Sequence, residues 1–96
     1  MAYALLEYQL VSDYLDRRGE LREEHLGLAQ AAAERGEIVL VGALSDPADR
    51  ALLVFSSADA EAARTTAEQF AKADPYVANG LVTSWAVRPW NVVIGG

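Results

Sequence analysis

The sequence predicts an α+β domain in which the elements follow the order βαββαβ. Two Ala-rich stretches place apolar residues at helical spacing, and four stretches rich in Leu, Val, Ile, Tyr and Trp stand around them. The chain has 96 residues, which is the size of one domain. We therefore predict a single domain over residues 1–96.

The first half of the chain begins with a predicted strand over residues 2–11, which is rich in Leu, Tyr and Val. A helical turn is predicted over 14–18, and Gly19 ends it. The helix predicted over 20–34 has one apolar face, which also carries the only histidine: Leu21, His25, Leu28 and Ala32. Gly36 is the predicted C-cap.

The middle of the chain predicts a β-hairpin. Residues 37–44 are almost wholly apolar and partly β-branched, which is typical of a central strand that is covered on both faces. A turn over 45–50, rich in Asp and Pro, separates them from a second strand over 51–56. The connection is short, so the two strands should be antiparallel.

The second half contains two helices and a strand. Asp59 is a preferred N-cap for a helix that ends at Ala73. Asp74 and Pro75 then supply an N-cap and a first helical residue, which predict a short helix over 74–78. A strand is predicted over residues 81–87. Pro89 either breaks this strand or marks it as an edge strand, and residues 90–94 are predicted to continue in extended form.

This element order is the ferredoxin-like arrangement, with two main helices on one face of a four-stranded antiparallel sheet. The strands are nevertheless apolar on both faces, in pairs such as Tyr3/Leu5, Ala4/Leu6, Leu52/Val54 and Leu53/Phe55. Monomers seldom expose an apolar face of that size. We therefore expect a homodimer, open to higher assembly, in which two sheets pack face to face.

Composition and charge exclude several classes of protein. Lys and Arg number 8 and Asp and Glu 14, so the net charge is −6, and the basic residues are scattered rather than clustered. We therefore expect no nucleic-acid partner. No apolar run is long enough to span a membrane and no signal peptide is visible, so we expect no membrane partner. The absence of cysteine fits a cytoplasmic protein.

Two residues are candidates for acid–base chemistry. His25 could be a general base or acid, because imidazole titrates near neutral pH, or it could be a buried structural residue. Asp74 could orient that imidazole, or it could serve only as an N-cap, and the two roles are compatible.

Three further residues are candidates for substrate binding. Arg22, one turn before His25, could hold an anionic group, or it could pair with a nearby glutamate on the surface. Tyr8 and Tyr76 could line a pocket, although aromatic side chains of this kind are more often core or dimer interface. One histidine and no cysteine cannot form a closed zinc site, and no nucleotide-binding or hydrolase motif is present, so we expect no metal and no cofactor.

Four blocks of the sequence together resemble the YciI-like (YCII-related) family: residues 22–26 (Arg-Glu-Glu-His-Leu), 36–42, 73–81 (with Asp-Pro-Tyr) and 87–90 (Val-Arg-Pro-Trp). The resemblance implies a dimeric α+β barrel and a site built around His25 and Asp74. The superfamily also holds muconolactone-isomerase-like enzymes and cofactor-independent monooxygenases. The chain departs from the family pattern at Gly42-Ala43 and Arg50-Ala51, which are positions expected near the pocket mouth.

We expect, on these grounds, a small-molecule enzyme of the lyase, isomerase or dehydrohalogenase type that works by proton transfer without a cofactor. The substrate would be a small organic molecule that the sequence does not specify. The alternative is a non-catalytic dimer that binds a metabolite or a partner protein, in which the pair of His25 and Asp74 is structural.

Overall fold

The computed structural model describes residues 1–96 and has the predicted element order. The strands are β1 (Ala2–Leu10), β2 (Ile38–Ala43), β3 (Arg50–Ser57) and β4 (Val82–Trp90), and the helices are α1 (Tyr14–Arg17), α2 (Gly19–Glu34), α3 (Ala60–Ala73) and α4 (Pro75–Ala78). All strand pairs are antiparallel, in the order β2-β3-β1-β4. The predicted α+β class and ferredoxin-like order are confirmed.

The core lies between the helices and one face of the sheet. Helix α3 packs on β1, β3 and β4, and α2 packs on β2. Alternate residues of β1 and β3 point into this layer, as the strand period of two requires, and α3 contributes mainly alanine together with Phe70. The buried residues of β1 and β3 are Ala4, Leu6, Tyr8, Leu10, Ala51, Leu53 and Phe55, and Ile38 of β2 and Val82 of β4 are buried as well.

The opposite face of the sheet carries no helix. Leu5 faces Val54 across β1 and β3, and Val54 faces Leu40 across β3 and β2, so one apolar row crosses three strands. Leu40 is 67% exposed, and Leu52 lies half-buried in the next row. The expected apolar outer face is therefore present, and the homodimer that would cover it stays a prediction.

The prediction that residues 37–44 form a central strand was wrong, because β2 lies at the edge of the sheet. The register of β2 against β3 shifts between Ile38 and Leu40, where a bulge inserts Val39. The bulge interrupts the alternation of the strand, so the sequence pattern does not show which residues face the core. Val39 and Leu40 are exposed, whereas Ile38 is buried.

Two boundaries also differ from the prediction. Gly19 begins α2 rather than ending a turn, because Arg18 before it keeps helical dihedrals and the chain passes from α1 to α2 almost without a break. Strand β4 continues through Pro89 to Trp90, which is possible because β4 is an edge strand. Residues 91–94 lie outside any strand. None of the helices is long and apolar enough to cross a bilayer.

Candidate active site

Asp74 is the centre of a buried hydrogen-bond cluster. It is the N-cap of α4, and its side chain is fully buried. The carboxylate accepts a bond from the backbone N–H of Tyr76 at 3.0 Å and from the hydroxyl of Tyr8 at 2.8 Å. Its two oxygens each lie 2.9 Å from Nδ1 of His25. The carboxylate therefore both caps a helix and orients the imidazole, so the two roles considered for Asp74 coexist.

His25 reaches Asp74 from the buried face of α2. Its side chain is 9% exposed. A carboxylate only accepts hydrogen bonds, so the proton of the neutral ring lies on Nδ1 and the lone pair lies on Nε2. Nε2 makes no hydrogen bond within the protein, and the ring lines a cavity. This is the arrangement that a general base requires.

Tyr76 covers one face of the imidazole. The rings of Tyr76 and His25 stack with centroids 3.9 Å apart and planes 7° apart, while Phe70 meets His25 edge-on at 6.3 Å. Two aromatic contacts and the bond to Asp74 thus fix the orientation of the ring. His25 and Asp74 are 49 positions apart in the chain, and they meet because α2 packs against α4.

The hydroxyl of Tyr76 is buried and has no hydrogen-bond partner. Burial raises the pKa of Tyr76 to about 12, with a further rise from the nearby phenol of Tyr14 and an opposing effect of Arg22 and Arg18. The ring of Tyr14 meets that of Tyr76 edge-on at 5.8 Å, but the two hydroxyls do not reach hydrogen-bonding geometry. Tyr76 is therefore a neutral, unpartnered donor at neutral pH.

Tyr8 lies behind the carboxylate rather than in the cavity. It is fully buried on β1 and donates its hydroxyl to Oδ2 of Asp74. Burial first, and then the charge of Asp74, raise the pKa of Tyr8 far above its usual range. The structure thus places Tyr8 where it holds the carboxylate, and it does not bring this predicted substrate-binding side chain to the cavity wall.

The cavity beside His25 has a volume of about 200 Å³, which is below the range of about 300–1,000 Å³ for drug-sized ligands and restricts it to a compact molecule. It lies between the start of α2 and the hairpin of β2 and β3. The two segments that depart from the family pattern both contribute to its wall, through Gly42, Ala43 and Ala51. The remaining lining residues are Tyr14, Arg18, Arg22, His25, Leu26, Val41, Leu53 and Tyr76. A wider groove of about 710 Å³ beside α1 and the loop at Asp46 does not reach His25 or Asp74.

Arg22 lines this cavity, and so does Arg18. Neither forms an ion pair with a carboxylate, so the surface pairing considered for Arg22 is absent. Sequence reasoning missed Arg18 and Tyr14. The available signal was the spacing of four from Tyr14 to Arg18 to Arg22, which puts all three on one helical face. Because Gly19 was predicted to end the helical turn, Arg18 and Arg22 were assigned to different elements and this spacing was not recognised.

No three histidine, cysteine, aspartate or glutamate side chains gather where they could hold an ion. The contacts of the Asp74 carboxylate are all with donors of the protein itself, namely the Tyr8 hydroxyl, the Tyr76 backbone and the His25 ring.

The solved structures that are similar to this chain include the following two. One is 5-chloro-2-hydroxyhydroquinone dehydrochlorinase (TftG) from Burkholderia phenoliruptrix AC1100, in complex with 2,5-dihydroxybenzoquinone, with a TM-score of 0.72, 15% identity and coverage of 93% of each chain. The other is protein Atu4242 from Agrobacterium tumefaciens, with a TM-score of 0.64, 15% identity and coverage of 97% of this chain and 94% of that one. At these identities the similarity shows the fold alone.

The sequence itself decides the family. No curated protein matches it. The family model of the YCII-related domain, however, matches residues 1–91, which is nearly the whole chain and includes both His25 and Asp74. The protein therefore belongs to the YCII-related family.

Proposed function

We propose that this protein is a small-molecule enzyme in which His25 and Asp74 act as a general acid–base pair. One observation carries the proposal: Nδ1 of His25 is held by a buried carboxylate while Nε2 is unpartnered at a cavity. A purely structural pair would have no need of a neighbouring hollow. His25 is the only histidine of the chain, so no other imidazole could supply the base.

The proposed step is the removal of a proton from a carbon next to a carbonyl. Nε2 of His25 takes the proton, and the electron pair of the broken bond moves toward the carbonyl oxygen to give an enolate. Asp74 stabilises the imidazolium that forms, because its carboxylate lies 2.9 Å from Nδ1. The proton then returns to another position in an isomerase, or a leaving group departs with its bonding pair in a lyase.

The similarity to a dehydrochlorinase favours the elimination branch. TftG is described as a dehydrochlorinase and was solved with 2,5-dihydroxybenzoquinone. Elimination of chloride needs a base for the proton and no redox cofactor, which matches the chemistry available to His25 and Asp74. We propose a dehydrohalogenase or related lyase as the first reaction type to test.

A non-catalytic binding module is the competing proposal. The observation in its favour is that Asp74 is fully buried and that the His25 side chain is only 9% exposed. In that case the hydrogen bond between His25 and Asp74 would hold α2 to α4, and the cavity would bind a metabolite without changing it.

The two proposals predict different behaviour of His25→Asn. The wild-type protein is incubated in D₂O with a panel of small ketones, enols and 5-chloro-2-hydroxyhydroquinone, while NMR follows deuterium uptake and an electrode follows chloride. A catalytic pair predicts that exchange or chloride release falls at least 100-fold in His25→Asn, within the range typical of a general base. Equal rates in the two proteins would contradict catalysis by His25.

Asp74→Asn serves as the second variant, because it keeps an acceptor for the Tyr76 backbone but removes the charge that stabilises imidazolium. We expect a smaller loss of rate, with the folded state confirmed by circular dichroism.

A further inference from the structure

We propose that Arg18, Arg22 and the hydroxyl of Tyr76 form an anion subsite in the His25 cavity, and that the ligand is a small organic oxyanion with a flat apolar body. The subsite would bind a carboxylate, enolate or phenolate oxygen. The anion-binding part is independent of catalysis, whereas the identification of this ligand as the substrate rests on the proposed function.

The charge at the cavity is the first argument. The chain carries a net charge of −6, yet no aspartate or glutamate lines this cavity and two arginines do. Four of the other arginines pair with carboxylates, namely Arg17, Arg35, Arg50 and Arg64. Arg18 and Arg22 therefore leave two guanidinium groups free at one hollow, where an anion would be held by several charge-assisted donors.

The helix geometry brings the two arginines together. Arg18 and Arg22 are four residues apart, and Arg18 keeps helical dihedrals at the start of α2, so both side chains project from the same face. The guanidinium of Arg18 lies 5.6 Å from the centroid of the Tyr14 ring, which limits its freedom. Both arginines also lie close enough to Tyr76 to influence its hydroxyl.

The unpartnered hydroxyl of Tyr76 is the independent argument for a ligand. A buried hydroxyl without a partner is costly, and native structures seldom keep one without a reason. Tyr76 is 2% exposed, belongs to the cavity wall and stays protonated at neutral pH, so it can donate to an anionic oxygen. The hydroxyl oxygen itself is closed off from the cavity, so ligand binding would shift the wall slightly to bring this donor to the ligand oxygen.

The apolar remainder of the cavity defines the body of the ligand. Leu26, Val41, Leu53 and Ala51 line the walls, and the volume of about 200 Å³ limits the ligand to a compact molecule. The stacked rings of Tyr76 and His25 border the same space, which favours a planar group. A single aromatic ring with one oxyanion meets these conditions.

Binding of benzoate tests the subsite without requiring turnover. Isothermal titration compares benzoate with the uncharged, similarly shaped benzamide and with inorganic phosphate, while NMR follows the ring signals of the single histidine. We expect benzoate to bind at least tenfold more tightly than benzamide and phosphate and to shift the His25 signals. Equal binding of benzoate and benzamide, or benzoate binding that leaves His25 unshifted, would overturn the proposal, as would no binding at all.

Matched variants locate the anion. Arg18→Gln and Arg22→Gln should each weaken benzoate at least fivefold, and Tyr76→Phe should weaken it severalfold while keeping the aromatic stack. Arg17→Gln is the control, because Arg17 lies on the same short stretch, is exposed and does not line the cavity. Losses no larger than that of Arg17→Gln would overturn the subsite. Benzoate binding retained in His25→Asn together with lost turnover would separate the subsite from the proposed catalysis.

Discussion

At the residue scale, one buried carboxylate gathers donors from three separate parts of the chain. Tyr8 comes from β1, His25 from α2 and the Tyr76 backbone from α4, and all three meet Asp74. Several donors on one carboxylate stabilise its charge and hold it in place. The imidazole is oriented through this carboxylate, and Tyr8 holds the carboxylate in place without lining the cavity.

Tyr8 and Tyr76 offer a matched pair of Tyr→Phe substitutions. Tyr8→Phe removes a hydrogen bond to a buried charge and should lower the free energy of unfolding by about 1.5–3 kcal/mol. Tyr76→Phe removes a hydroxyl that has no partner, so it should leave the free energy of unfolding unchanged or raise it by about 1 kcal/mol. Urea unfolding at neutral pH measures both. Equal losses in the two variants would show that the two hydroxyls have similar surroundings.

Alkaline unfolding should report the raised pKa of Tyr8. Its folded-state pKa lies above the ordinary value of 10.0, so the native state keeps a proton that the unfolded chain releases. This contribution is therefore complete below the ordinary pKa and declines as pH rises above it, by about 1.4 kcal/mol per pH unit. Urea unfolding across this region should show a shallower decline in Tyr8→Phe than in wild type. If the free energy of unfolding fell equally with pH in both proteins, the pKa of Tyr8 would not be raised in the folded state.

At the scale of elements, helix α2 carries most of the cavity's chemistry. It presents Arg22 and His25 to one hollow, and Arg18 precedes it without a break in helical geometry. Its C-terminus is fixed by Gly36, whose φ of +77° is a conformation that side chains other than glycine seldom adopt. Gly27, in contrast, lies exposed in the helix interior, where glycine is a poor choice.

Substitution by alanine should have opposite effects on the free energy of unfolding at Gly27 and at Gly36. A Cβ at either position meets no atom within 4 Å, so packing does not separate them. Gly27→Ala should raise the free energy of unfolding by about 1 kcal/mol, because alanine favours the helix. Gly36→Ala should lower it by about 1 kcal/mol, because of the positive φ. Thermal or urea unfolding tests both, and changes of the same sign would contradict the assigned cap.

At the scale of the whole molecule, the sheet has one covered face and one uncovered face. The uncovered side carries the apolar row formed by Leu5, Val54 and Leu40, with Leu52 next to it. Burial of such a patch against a second copy is the simplest way to remove it from water. The homodimer is therefore expected from the sheet alone, in agreement with the family resemblance.

A charge in the centre of this face should separate the dimer. Val54→Glu places a carboxylate within the apolar row, whereas Val93→Glu places one in the C-terminal tail, where Val93 is 83% exposed. Sedimentation should give twice the 10.3 kDa chain mass for wild type and for Val93→Glu, and the single mass for Val54→Glu. A wild-type protein that sediments as a monomer would refute the dimer.

Much of the fold could be predicted because its signals are local. The capping residues Asp59 and Asp74, the glycine at position 36 and the apolar periodicity fix where elements begin and end. The position of β2 could not be predicted in this way. Its apolar residues fit a central strand equally well, and only the pairing with β3 shows the bulge at Val39 and the open edge.

The element order, the family and the two acid–base candidates follow from the amino-acid sequence, since these depend on residue types and short spacings. Which side chains meet depends on the tertiary structure. It joined Tyr8, His25 and Asp74 across separations of 49 and 66 residues, set Tyr8 behind the carboxylate and brought Arg18 to the cavity. Such contacts arise from the packing of helices on a sheet, which no local pattern along the chain encodes.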